Sequence, residues 1–129
     1  MICVIDASAA VEVVMKRSGA IDLINRIMAA EKTIAPALFY AEVGNVFRKY
    51  IQGSHIDKAQ GLACYKAAIQ IVDEFIDIQI LIDEAVIEAI RLNHPVYDML
   101  YLILARRNGA KLLTCDKRLQ ALQQHVLET

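Results

Sequence analysis

The sequence is poor in the features that mark linkers, membrane spans and disulfide scaffolds. It has two prolines and five glycines in 129 residues, no Ser-rich or low-complexity stretch and no repeat. A flexible linker therefore has no place to lie, and residues 1–129 are expected to form a single domain. No uncharged apolar run reaches the roughly 20 residues needed to cross a bilayer. The apolar opening MICVIDASAAVEVVM carries Asp6 and Glu12 and lacks a basic leader, so it does not read as a signal peptide. Cys3, Cys64 and Cys115 are odd in number and form no CxxC pair. That excludes a disulfide framework and suits a reducing cytoplasm. A formal net charge of −1 excludes a broad positive field, so contact with nucleic acid would have to use local basic patches. His55, His94 and His125 make no HExxH or HxxxH pair, which argues against zinc, and His94 is expected in a solvent-exposed loop. GxGxxG, Walker and GxSxG motifs are missing as well.

What the chain does have is apolar residues, 57% of the total, against the usual 45–50% or so. With no membrane span to use them, the surplus points to a protein partner or to self-association. The β-branched runs ICVI and TIAP, the alternating FIDIQIL and the short KLLTC read as strands. Helices are expected over SAAVEVVMK, AIDLINRIMAAE, LFYAEVGNVFRKYIQG, IDKAQGLACYKAAIQIVDE, DEAVIEAIRLN, the stretch opened by HPVYD, and DKRLQALQQ. Strands alternating with helices imply a parallel α/β sheet covered on both faces.

One stretch poses a question. In HPVYDMLYLILARRNG the residues from Tyr97 to Ala105 are almost all apolar, so the helix is expected to be buried all round, yet Asp98 stands in its first turn. A buried carboxylate is costly unless it is paired, hydrogen-bonded or bound to a cation. In a parallel sheet, binding sites lie at the carboxyl edge of the strands. Asp6 follows the first strand, Glu42 lies early in the helix after TIAP, Asp98 opens its helix, and Asp116 follows KLLTC. All four are expected at that edge. Taken singly, Asp6, Asp98 and Asp116 also suit helix caps, and Glu42 suits the border of an apolar face. Together they repel one another and call for protons or cations. Oxygen-only ligands favour Mg²⁺ or Mn²⁺, whose characteristic work is phosphoryl chemistry. Ser8 and Thr114 flank the acids, Asn45 lies one turn beyond Glu42, and Lys117 and Arg118 are expected near enough to the acids to meet the phosphates of a nucleic acid.

In order, VIDAS, AEVGNVF, YDMLYLILA and LLTCDKRL resemble a PIN-domain ribonuclease of the VapC toxin type over nearly the whole chain. The resemblance implies a three-layer α/β/α sandwich with a central, mostly parallel sheet of four or five strands. It implies an acidic site on Asp6, Glu42, Asp98 and Asp116 with Ser8, Asn45 and Thr114 as accessory positions. It further implies Mg²⁺- or Mn²⁺-dependent endonuclease action on RNA, a homodimer, and inhibition by a VapB-type antitoxin. The tail ending in HVLET leaves room for only a very short closing strand. Two alternatives stay open: a non-catalytic interaction module on the same fold, and a phosphotransferase with an acidic pocket.

Overall fold

The computed structural model describes residues 1–127. The four strands β1 (Ile2–Ile5), β2 (Lys32–Pro36), β3 (Glu74–Ile76) and β4 (Lys111–Leu113) form one parallel sheet in the order β3-β2-β1-β4. Cys3 pairs with Thr33 on one side and with Lys111 on the other, so β1 is central. A parallel sheet covered on both faces needs strands that are apolar throughout rather than alternating. Val4, Ile5 and Ala35 meet that need, with no exposed surface.

Among the described residues seven α-helices flank the sheet: α1 (Ala7–Val14), α2 (Ala20–Ala29), α3 (Leu38–Gln52), α4 (Lys58–Gln70), α5 (Ile82–Leu92), α6 (Val96–Arg107) and α7 (Lys117–Leu127). α1 packs with α2, α3 and α4, while α6 packs with α5 and α7 and lies against β1, β2 and β4. This surrounds α6, and every residue from Met99 to Ala105 is buried. The apolar run is thus explained by position: α6 has the sheet on one side and helices on the others.

α3 and α4 form a close pair. A Cβ on Gly61 of α4 would collide with the Ile51 side chain of α3. The glycine inside α4 is therefore a close-packing point between the two helices rather than a helix break.

Two expected elements differ, and the sheet has the lower of the two strand numbers expected. FIDIQIL is a strand only at Glu74–Ile76, because the Asp77 carboxylate accepts the Gln79 N–H at 3.0 Å and turns the chain into a 3-10 turn, Ile78–Ile80. α4 stops at Gln70 rather than running to Glu74. Asp73 is drawn to β2, accepting Thr33 N–H at its carboxylate and donating its own N–H to Thr33 O, both at 2.8 Å. A fifth strand is not formed among the described residues. His125, Val126 and Leu127 belong to α7, and the last two residues of HVLET lie outside the described range.

Candidate active site at the switch point of the sheet

β2 lies on one side of β1 and β4 on the other, so the direction of winding reverses between β1 and β4. Such a reversal opens a crevice beyond the carboxyl ends of the two strands. Asp6 is the first residue after β1, and Thr114 the first after β4.

Asp6 is 5% exposed and is held on every side. Its Oδ1 accepts the Ser8 hydroxyl at 2.7 Å and the Ala9 N–H at 3.0 Å, and its Oδ2 accepts the Thr114 hydroxyl. Asp6 is thus the N-cap of α1, as an Asp before an apolar helix should be. These bonds favour its charged form. Burial outweighs them, and with the nearby Asp116 charge it pushes the Asp6 carboxyl above the ordinary range.

Ser8 and Thr114 knit the two strand ends together. Ser8 Oγ accepts the Cys115 N–H at 2.9 Å, and Thr114 Oγ1 accepts the Asp116 N–H at 3.0 Å. Asp116 caps the last helix, with Oδ1 accepting the Arg118 and Leu119 N–H groups at 2.8 and 3.2 Å.

Glu42 is half-buried on α3 and accepts the hydroxyl of Tyr101 from α6. Burial raises its carboxyl too, and the Asp98 and Asp6 charges add to the rise. The same surroundings, burial first and the Glu42 charge next, hold the Tyr101 phenol protonated far beyond its ordinary range. Tyr101 is therefore a fixed neutral donor. Asp98, in the first turn of α6, meets His94: Nε2 lies 2.7 Å from Oδ2. The structure thus brings Asp6 under the influence of Asp116, and Glu42 under that of Asp98 and Asp6.

Other positions fall elsewhere. Asn45 is exposed, and its amide oxygen accepts Arg48 Nε at 3.0 Å along α3. Lys117 is exposed. Arg118 is exposed too, and its Nη2 lies 3.1 Å from His94 Nδ1. The expectation of an exposed loop for His94 is corrected: the residue is 8% exposed and bonded at both ring nitrogens. Tyr101 was not singled out in the sequence. Its signal was a phenol in the middle of a buried aliphatic run, where a hydroxyl must find a partner.

The donor set suits a hard divalent cation. It is all oxygen, and two of its carboxyls are raised by burial. Among the described residues no lysine or arginine side chain forms an ion pair with any of the four acids. Nor do any three of the described His, Cys, Asp and Glu side chains form a ready cage for a bare ion.

The PIN domain family pattern matches residues 3–124. The chain belongs to the PIN-domain family. It is similar to Ribonuclease VapC1 of Mycobacterium tuberculosis strains CDC 1551 / Oshkosh and ATCC 25618 / H37Rv. Each is 30% identical over 122 residues, which is 92% of this chain and 89% of the relative. The crystal structure of PAE2754 from Pyrobaculum aerophilum superposes with a TM-score of 0.77 at 23% identity. The match covers 98% of this chain and 83% of that one, so the two share the fold. No helix among the described residues is long and apolar enough to cross a membrane.

Proposed function

We propose that this PIN-domain protein is a Mg²⁺- or Mn²⁺-dependent endoribonuclease and the toxin of a toxin–antitoxin pair. It acts as a single domain over residues 1–129, in the cytoplasm. The observation that carries this reading is the contrast between charge and partners at the sheet edge. Four carboxylates influence one another there, two of them are raised by burial, and their hydrogen-bond partners are hydroxyls, an imidazole and backbone N–H groups. Such a site is stabilised by a cation.

When bound, a divalent cation would neutralise phosphate charge and make a water acidic enough to attack a phosphodiester at neutral pH. Asp6, Glu42, Asp98 and Asp116 would hold it, directly or through its waters. Ser8 and Thr114 fix both oxygens of Asp6, and Tyr101 fixes one oxygen of Glu42. Lys117 and the remaining N–H groups of Arg118 would meet RNA phosphates beside the acids.

The partners follow from apolar surface. Ile21 and Met28 on α2, Ile87 and Ile90 on α5 and Tyr97 on α6 are each more than 60% exposed, and a partner would cover them. A groove between α3 and α4, lined by Phe47, Ile51, Leu62 and Tyr65, suits an apolar antitoxin segment of VapB type. Self-association as a homodimer would cover more of the surface.

The test is cleavage of a structured RNA with Mg²⁺, with Mn²⁺ and with EDTA, for wild type and Asp98→Asn. Cleavage is expected only with a divalent cation and only with the wild type. Undiminished cleavage in excess chelator contradicts the chemistry.

A further inference from the structure

His94 is a buried polar side chain beside the cluster that the chemistry above leaves without a part. Its side chain is 3% exposed, and its backbone is pinned from both sides. Asn93 ends α5 in the left-handed conformation, with φ 50°, which asparagine adopts more readily than most residues. The His94 N–H returns to Ala89 O at 3.0 Å. Pro95 then opens α6 and restricts the residue before it to extended backbone. Held in this way, the ring bridges two elements, with Nε2 at 2.7 Å from Asp98 Oδ2 on α6 and Nδ1 at 3.1 Å from Arg118 Nη2 on α7.

The arginine decides which nitrogen carries the proton. A guanidinium only donates hydrogen bonds. Nδ1 must therefore offer its lone pair, and the ring hydrogen sits on Nε2, pointing at Asp98.

We propose that His94 is a positioning residue of the acidic site: Arg118 sets its tautomer, and its Nε2–H aims the Asp98 carboxylate. This rests on the reading of the cluster as a cation site. The donor occupies one oxygen of Asp98 and leaves the other for a cation. Metal ligands are oriented by outer partners of this kind. The bridge also ties the start of α7, capped by Asp116, to the start of α6, where Asp98 stands. Two acids from remote segments are thereby held in one frame. Arg118 has a task here apart from any contact with phosphate.

Two conservative variants separate positioning from packing. A glutamine places an amide N–H near the Nε2 position, so His94→Gln keeps the donor to Asp98. An asparagine reaches only the Nδ1 position, so His94→Asn keeps the acceptor for Arg118 and loses Asp98. The readouts are Mn²⁺ affinity by calorimetry on the full chain, thermal melting, and the long-range proton–nitrogen NMR spectrum of the histidine rings. The wild-type His94 ring is expected as the Nε2–H tautomer, and Arg118→Ala is expected to admit the Nδ1–H form. His94→Asn should weaken Mn²⁺ binding by about 10–100-fold, the usual range for outer partners of a metal ligand, and His94→Gln should recover most of that loss.

Equal Mn²⁺ affinity of the two variants overturns the positioning role. So does an Nδ1–H ring in the wild type, which is read without any substitution and decides the matter even if His94→Asn melts too early to assay. A wild type that binds no Mn²⁺ overturns the functional reading and the positioning role with it. A wild type that binds Mn²⁺ while the variants behave alike overturns only the latter.

Discussion

Glu84 and Glu88 on α5 are treated differently from Asp6 and Glu42 at the sheet edge. Arg91 and Arg106 reach Glu88, and Arg106 and Arg107 reach Glu84. Hydrogen bonds from Arg107 to Glu84 and from Arg91 to Glu88 hold the two carboxyls below the ordinary range. At the sheet edge, burial pushes Asp6 and Glu42 the other way, and hydroxyls rather than guanidiniums contact them. One chain therefore satisfies its structural acids with arginine and leaves another set charged against itself. The second set is costly to fold, and that cost makes sense if a cation offsets it.

The comparison breaks most visibly in activity. Asp98→Asn and Glu42→Gln should each lower RNA cleavage by about 100-fold or more, beyond the 10–100-fold typical of groups one shell further out. Glu88→Gln should leave the cleavage rate unchanged once both proteins are folded. Initial rates at saturating Mn²⁺, with circular dichroism to confirm the fold, check this.

Stability comes next. Tyr101→Phe removes the donor to a half-buried carboxylate oxygen and should cost about 1–2 kcal/mol at neutral pH, measured by urea unfolding. Glu88→Gln should cost about 1 kcal/mol, because its carboxylate is shared by two arginines and is 10% exposed. Glu84→Gln, more exposed, should cost a few tenths of a kcal/mol.

A smaller effect carries an opposite sign in the two regions. The folded pKa of Glu88 lies below its unfolded value of about 4.3. Its contribution is present above that pH and lost as pH falls through the folded value. The folded pKa of Glu42 lies above its unfolded value, so the folded state holds the extra proton. Its contribution is present below about pH 4.3 and lost as pH rises through the folded value. In chelator, stability curves from about pH 2.5 to 8 should therefore show Glu88→Gln falling behind the wild type as pH rises towards about 4.3, and Glu42→Gln gaining on it above that. Parallel curves for the two variants would remove the distinction between the regions.

Much of this was legible in the chain. The β-branched runs of β1 and β2 and the all-apolar α6 carry their own signals, because burial on every side demands apolar residues at every position. Asp6 and Asp116 also follow from strand ends, since the carboxyl edge of a parallel sheet is where their strands deliver them. What stayed hidden depends on partners far along the chain. Tyr101 meets Glu42 across 59 positions, and His94 meets Arg118 across 24. A lone histidine before a proline looks like loop, and nothing local shows that α7 closes over it. FIDIQIL misled for a local reason. Its alternation is that of a strand, and a single Asp77 cap is enough to turn it. Asn45 lies one turn from Glu42, but Arg48 takes its side chain.

Whether the acidic cluster needs a cation is read from the thermal midpoints of wild type and Glu42→Gln at pH 7.5, first in EDTA and then in saturating Mg²⁺. The amide oxygen of the variant still accepts the Tyr101 hydroxyl, so only the charge is removed. A crossing is expected. Without cation the variant melts higher, because one member of a self-repelling cluster is gone. With Mg²⁺ the wild type gains more, because binding to the folded state adds to its stability, and it overtakes the variant. A wild type that melts above Glu42→Gln in EDTA, with no further gain from Mg²⁺, would show acids that need no cation and would contradict the account.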